Sequence, residues 1–133
     1  MNSAVATADL PNPIRVMLVD DEPMFVEMVQ ALLEVEEGIV VVGKAPDGRR
    51  AVELAPTLQP DVIVMDVSMP VLDGLAATRE IREQDPTASV LILTGGSNIT
   101  DVDTARKAGA SGYLTKDLIA RDLLVEIRNL GSK

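Results

Sequence analysis

Short apolar runs recur along the chain, and they predict the strands of a parallel sheet. The runs are rich in β-branched residues and barely alternate with polar ones, which is typical of strands whose two faces are both covered. Four runs are clear, at residues 14–19, 39–42, 62–65 and 90–93. A weaker fifth candidate lies at residues 112–114.

Between these runs the apolar positions follow a helical period. The first such stripe has the i, i+3, i+4, i+7, i+8 spacing of an amphipathic helix, and it consists of Phe25, Met28, Val29, Leu32 and Leu33. Pro23 suits the first turn of that helix. Further helices are predicted at residues 51–58, 74–84, 100–108 and 120–127. Asp117 is expected to cap the last one.

Strand and helix therefore alternate five times along the sequence. This order predicts a single α/β domain with a doubly wound parallel sheet and right-handed crossovers. The chain has 133 residues, of which 47% are hydrophobic, and this is enough for one domain with a substantial core.

Charge and residue usage exclude several classes of function. The net charge is -9, which argues against a nucleic-acid surface and against an anionic membrane surface. The chain has no cysteine and no histidine. Disulfides, cysteine-bound zinc and a Ser-His-Asp triad are therefore excluded. Any metal must be bound by oxygen, which favours Mg²⁺, Mn²⁺ or Ca²⁺.

The first residues do not have the pattern of a secretory signal. Residues 1–13 lack a basic segment and a long apolar core, so we expect a flexible leader there. The domain is expected at residues 14–130, followed by a tail at 131–133. No apolar run approaches the length of a membrane span, and the cytoplasm is the expected compartment.

Polar residues with useful chemistry follow four of the predicted strands. Asp20 and Asp21 follow the first, Asp66 the third, Thr94 the fourth and Lys116 the fifth. In a doubly wound sheet, ligands bind outside the carboxyl ends of the strands. We therefore expect three carboxylates, a hydroxyl and an ammonium to meet at one edge.

Three carboxylates at one edge cannot all stay charged without help. At about 4 Å and an effective dielectric near 20, each like-charge pair costs roughly 4 kcal/mol. Either one carboxylate binds a proton, or a divalent cation lies among them. Adjacent acids before a helix can also act only as caps. We interpret the cluster as a hard-cation site, since a divalent cation and Lys116 together balance it.

At these residues the chain resembles the receiver domain of bacterial two-component response regulators. The matching motifs are "VDDE", "MDVSMPVLDG", "LTGG" and "GYLTKD", and the resemblance covers about residues 14–130. It implies a flavodoxin-like fold with strand order 2-1-3-4-5. "GYLTKD" resembles the NarL/LuxR-type subfamily, whose receivers precede LuxR-type helix-turn-helix domains. Many receivers have Lys-Pro where this chain has Lys116-Asp117, so no cis-proline is expected.

The resemblance implies a role for each residue of the cluster. Asp66 would accept a phosphoryl group from a sensor histidine kinase. Asp20 and Asp21 would hold Mg²⁺, with Mn²⁺ as an alternative ion, helped by Asp66 and the backbone carbonyl of Ser68. Thr94 and Lys116 would each contact a phosphoryl oxygen.

The resemblance also implies a switch. Tyr113 corresponds to the family's switch aromatic, which would reshape the face made by helix four, strand five and helix five and so alter homodimer formation. Ser68 and Gly96 flank the phosphoryl position and would tune its lifetime. The chain would be a signalling domain that assists its own phosphorylation and dephosphorylation, not an enzyme, and would contact neither nucleic acid nor membrane.

Two alternative functions differ from this one in the residues that they need. A haloacid-dehalogenase-like phosphatase also uses an aspartyl nucleophile and Mg²⁺, but needs a suitable acid two residues later. Ser68 follows Asp66 at that spacing and Glu22 follows Asp20, and neither suits. A phosphate-independent interaction module is the second alternative. It usually lacks the acids or the lysine, which this chain has.

Overall fold

The computed structural model describes residues 12–67, 72–95 and 102–131. Strands and helices alternate along the chain. The strands are β1 (Ile14–Val19), β2 (Ile39–Ala45), β3 (Val62–Asp66), β4 (Ser89–Thr94) and β5 (Gly112–Thr115). The helices are α1 (Pro23–Glu34), α2 (Gly48–Leu58), α3 (Gly74–Gln84), α4 (Val102–Lys107) and α5 (Ile119–Gly131).

The strands form one parallel sheet in the order β2-β1-β3-β4-β5. This confirms the predicted doubly wound fold and its flavodoxin-like order. Some strands are longer than their apolar runs. β2 extends to Ala45, which pairs with Val19, and β5 extends to Thr115, which pairs with Thr94. Backbone pairing continues there after the apolar run has ended.

Both faces of the sheet are buried, which explains why the strand sequences do not alternate. Val16 and Leu18 of β1 belong to a core that α1 and α5 cover. Met17 and Val19 belong to the opposite core, under α2, α3 and α4. Successive side chains of a strand point to opposite faces, so two cores require apolar residues at every position.

Local chemistry sets the starts of three helices. Pro23 is the first residue of α1, as predicted, where its missing N–H leaves no bond unmade. The side chain of Asp47 accepts a hydrogen bond from the Arg50 N–H at 2.8 Å and caps α2. Asp73 caps α3 in the same way, accepting from the Ala76 N–H at 2.9 Å. The predicted bounds of α3 are confirmed.

The predicted capping role of Asp117 is wrong. Asp117 lies inside a short 3-10 helix, Lys116–Leu118, which leads directly into α5. This tighter turn leaves no extended residue in front of Ile119 from which a side chain could cap the helix. α5 then continues through Gly131.

The fourth helix is short, at Val102–Lys107 within the predicted 100–108, where residues 100 and 101 lie outside the described ranges. Residues 1–11 of the expected leader and residues 132 and 133 of the expected tail also lie outside them. Within the described ranges, none of the helices has the length and apolar character needed to cross a bilayer.

Candidate functional site

The sheet brings the predicted acids together at one edge. β1 and β3 are neighbours, and Val19 pairs with Met65, so the residues that follow each of them lie side by side. Asp20, Asp21 and Asp66 each place one carboxylate oxygen within 4.8 Å of the others. Asp66 is the last residue of β3, one position earlier than the loop position predicted for it. Asp20 and Asp66 are buried, whereas Asp21 is exposed.

Lys116 also reaches this cluster, from its position directly after the edge strand β5. Its Nζ lies 2.9 Å from Asp20 Oδ2 and 3.4 Å from Asp66 Oδ1. A third carboxylate, that of Glu22, lies 3.5 Å away. The Lys116 side chain is only 21% exposed, so water screens these ion pairs less than pairs on the open surface.

Burial and charge change the acidity of two of these groups. Burial, followed by the neighbouring charge of Asp20, raises the pKa of Asp66 from 3.8 to about 6, and Lys116 only partly opposes this. Burial lowers the pKa of Lys116, but its hydrogen bond with Asp20 and the charges of Asp20 and Asp66 outweigh that effect. The pKa of Lys116 is therefore raised, and its ammonium stays charged at neutral pH.

The acids fit the ligand set of a hard divalent cation. Asp20 Oδ1 accepts a hydrogen bond from the Glu22 N–H at 2.9 Å, which fixes the carboxylate and leaves Oδ2 facing the cluster. Carboxylate oxygens that converge in this way are ligands that Mg²⁺ and Mn²⁺ prefer. Ser68, the predicted carbonyl ligand, lies outside the described residues, as does Gly96.

Thr94 and Tyr113 lie together on the other side of Asp66. Asp66 pairs with Leu93, so Thr94 is the next residue at the end of β4, where it is buried. Its hydroxyl lies within hydrogen-bonding distance of the Tyr113 hydroxyl, at 3.4 Å. Tyr113 is half-buried in β5 and packs against the core under α2, α3 and α4.

The backbone behind Asp66 is tightly packed against the start of α3. The Gly74 N–H donates to the Val67 carbonyl at 3.0 Å. A Cβ added to Gly74 would lie 2.1 Å from the carbonyl oxygen of Asp66. Glycine is therefore required at this position, because any side chain would displace either α3 or the end of β3.

Two residues of the site were not predicted. Glu22 lies beside Lys116, and the Phe25 ring centroid lies 4.4 Å from the Lys116 Nζ. In the sequence, Phe25 is simply one member of the apolar stripe of α1. Its contact with Lys116 depends on how closely α1 approaches the end of β5, which no local pattern reveals.

Comparisons with known proteins agree on one kind of domain. The sequence matches the response regulator receiver domain family over residues 16–128. It is 38% identical over 112 residues to the nitrate/nitrite response regulator protein NarL of Escherichia coli K12. That match covers 84% of this chain and 52% of NarL, so the chain spans about half the length of this relative.

Solved structures show the same fold. A LuxR-family two-component response regulator from Aurantimonas sp. SI85-9A1 is 39% identical, with a TM-score of 0.81 over 87% of this chain and 83% of that one. The response regulator domain of Thermotoga maritima CheB is 31% identical, with a TM-score of 0.82 over 90% of this chain and 97% of that one. The similarities to NarL and to the LuxR-family regulator agree with the NarL/LuxR-type pattern of the sequence.

Proposed function

Because the chain belongs to the response regulator receiver domain family, we propose that it accepts a phosphoryl group on Asp66 from a sensor histidine kinase. One observation carries this proposal. The buried carboxylate of Asp66 shares the carboxyl edge of the sheet with two further aspartates and with the Lys116 ammonium. This arrangement combines a nucleophile with the positive charge needed to stabilise a transferring phosphoryl group.

The proposed transfer uses the ionised form of Asp66. A carboxylate oxygen attacks phosphorus, and the new O–P bond forms as the P–N bond of the donor phosphohistidine breaks. The electron pair of the broken bond stays on the imidazole nitrogen, which takes up a proton. Hydrolysis later breaks the O–P bond, releases orthophosphate and restores the carboxylate.

The other residues of the site act on charge and position. Mg²⁺ bound to Asp20, Asp21 and Asp66 would supply further positive charge to the transferring group. Lys116, whose Nζ lies 3.4 Å from Asp66 Oδ1, would pair with a phosphoryl oxygen. Thr94 would donate its hydroxyl to another phosphoryl oxygen and would lose its contact with Tyr113.

We also propose that phosphorylation changes a surface. Movement of Thr94 towards Asp66 would free the Tyr113 ring and reshape the face made by α4, β5 and α5, and with it homodimer formation. Such a response is a local charge change that biases a two-state element. The kinase partner and a cytoplasmic location belong to the same proposal. In this proposal the domain contacts neither nucleic acid nor membrane.

Neither alternative accounts for the site as well. A phosphate-independent interaction module has no use for a buried Asp66 whose pKa is raised by burial and by Asp20. A haloacid-dehalogenase-like phosphatase needs an acid two residues after its nucleophile, where this chain has Ser68. A signalling role is therefore favoured over turnover of small phosphate esters.

Labelling with a small phosphodonor tests the proposal. Acetyl phosphate with Mg²⁺ should raise the intact mass by one phosphoryl group, and Asp66→Asn should take no label. Asp61→Asn is the matched control, because Asp61 lies just before β3, at the opposite end of the same strand, and bonds the Arg15 N–H at 2.9 Å. This control should label like the native protein.

Two results would contradict the assignment. Equal labelling of Asp66→Asn would place the phosphoryl group on another residue. Steady release of phosphate from a small ester such as p-nitrophenyl phosphate, dependent on Asp66 and without accumulation of labelled protein, would favour the phosphatase instead.

A further inference from the structure

We propose that Phe25 is a positioning residue that holds the Lys116 ammonium beside Asp20 and Asp66. It is the only phenylalanine in the sequence, and its ring centroid lies 4.4 Å from the Lys116 Nζ. A cation at this distance from a ring face is attracted by the negative charge of the π system. The effect on phosphorylation rests on the proposed function, whereas the placement of the ammonium does not.

The ring is held by the core and not by the site. Phe25 lies in the first turn of α1, three residues after Glu22, and packs partly buried against the core under α1 and α5. Because the core fixes the ring, the ring can restrain the more flexible lysine side chain. An exposed aromatic ring would instead move together with the lysine side chain and would not restrain it.

A second contact restrains the stem of the same lysine. The Lys116 side chain runs along the backbone of Gly95, where an added Cβ would lie 3.2 Å from Lys116 Cδ. The stem is thus confined at Gly95 and the ammonium at Phe25. Between these contacts, Nζ reaches both Asp20 and Asp66.

An aromatic ring suits this task because it carries no net charge. A fourth carboxylate would also hold Lys116, but it would add negative charge to a cluster that already contains three. The exposed Glu22 carboxylate lies 3.5 Å from the Lys116 Nζ and competes with Asp20 and Asp66 for the ammonium. The ring attracts the ammonium without occupying an oxygen of Asp20 or Asp66.

Replacing the ring should therefore move the lysine and slow phosphorylation. In Phe25→Leu we expect the ammonium to shift towards Glu22, and labelling of Asp66 by acetyl phosphate to slow about 3- to 10-fold, as loss of one partly desolvated cation–π contact implies. Phe25→Tyr keeps the ring face and should label at close to the native rate.

Lysine NMR measures the placement independently of phosphorylation. In protein labelled with ¹³C-lysine, the Lys116 Hε protons should be displaced upfield by the ring current, relative to those of Lys44 and Lys107. Tyr113 is the only other aromatic residue of the chain, so loss of the displacement in Phe25→Leu assigns it to Phe25. The displacement should persist in Phe25→Tyr.

Leu32→Ala separates positioning from general stability. Leu32 is partly buried on the same helix and packs against the same core. This variant should lose stability yet keep the Lys116 displacement and the native labelling rate. Slowing of labelling as large as that of Phe25→Leu would show that the effect is only structural and overturn the proposal.

Different results would contradict the positioning role of Phe25 and the phospho-acceptor function of Asp66. Native Lys116 resonances like those of Lys44 would overturn the role of Phe25, whatever the labelling shows. A displaced Lys116 signal in a protein that takes no label on Asp66 would support the positioning by Phe25 and contradict the phospho-acceptor function. An unchanged rate in Phe25→Leu, with the displacement lost, would refute the link from placement to chemistry.

Discussion

The Thr94 hydroxyl lies 3.4 Å from the Tyr113 hydroxyl, so the end of β4 is connected to β5 through two side chains. Thr94 is buried beside the strand that carries Asp66, whereas Tyr113 is half-buried towards the surface. We therefore expect a group that draws the Thr94 hydroxyl towards Asp66 to break this contact. The pair is a side-chain route by which an event at the acids can reach the face of α4 and β5.

Phosphorylation should accordingly change self-association through Thr94. Coupling free energies of this kind are typically about 1–3 kcal/mol, which is roughly 5- to 150-fold in an association constant. Sedimentation of the native protein with and without beryllofluoride and Mg²⁺, which stand in for the phosphoryl group, should show the change. Thr94→Val should bind the same complex with little change in association. Identical sedimentation of native protein in both states, despite amide shifts around Asp66, would leave a phosphate acceptor without a switch.

The raised pKa of Asp66 predicts an unusual dependence of stability on pH. The folded pKa is about 6 and the ordinary value is 3.8, so between these values the folded state binds more protons than the unfolded state. Asp66 should therefore lower the free energy of unfolding as pH rises from about 4 to about 6, by on the order of 2 kcal/mol. The loss should continue as pH rises through the folded pKa and be nearly complete by about pH 7.

Asp66→Asn isolates that contribution from the other carboxylates. Urea unfolding in EDTA, followed by circular dichroism from pH 4.5 to 7.5, should show the variant becoming progressively more stable than the native protein as pH rises. A stability difference that does not change with pH would mean that the Asp66 pKa is ordinary.

Magnesium should stabilise the native protein, and Asp21 should be required. A ligand that binds only the folded state raises the free energy of unfolding by RT ln(1 + [L]/Kd), so at a Mg²⁺ concentration of about 10 Kd the gain is roughly 1.4 kcal/mol. Urea unfolding with increasing Mg²⁺ should show this gain, and Asp21→Ala should lose most of it. Asp61→Asn should retain the gain, and an equal gain in Asp21→Ala would contradict the site.

Asp73, which caps α3, should contribute to stability, whereas Asp117, which does not cap α5, should not. Asp73→Ala removes the hydrogen bond to the Ala76 N–H and should destabilise the protein by about 1 kcal/mol. Asp117→Ala should change the free energy of unfolding by less than about 0.5 kcal/mol, since Asp117 is exposed and caps nothing. Chemical unfolding without Mg²⁺ compares the two, and equal losses would refute the difference in their roles.

Most of the fold was predictable because burial leaves a direct trace in the sequence. Neighbouring apolar residues such as Val16 and Met17 are needed when both faces of a strand are covered. The pattern does not say which residue faces which core, since both are apolar. Asp117 shows another limit, because aspartate is favoured both in caps and in tight turns, and only the backbone distinguishes them.

The site was predictable where it depends on topology. Asp20 directly follows β1 and Asp66 ends the neighbouring β3, so knowing the fold class was enough to bring them together. Phe25 and Glu22 were missed because their contacts with Lys116 depend on the distance between α1 and the end of β5. That distance is a result of packing over the whole domain and has no local pattern.

The close approach of Gly74 to Asp66 makes the packing around the pocket unequal on its two sides. On the β3 side, the start of α3 presses directly against the Asp66 carbonyl, where not even a methyl group has room. On the β4 side, the Thr94 side chain contacts the Tyr113 side chain through a hydrogen bond of 3.4 Å. The pocket therefore has less room on the Gly74 side than on the Thr94 side, and we expect a group added to Asp66 to be accommodated by movement of Thr94. If Asp66 is phosphorylated as proposed, the close packing at Gly74 would direct the resulting movement away from α3 and towards β5.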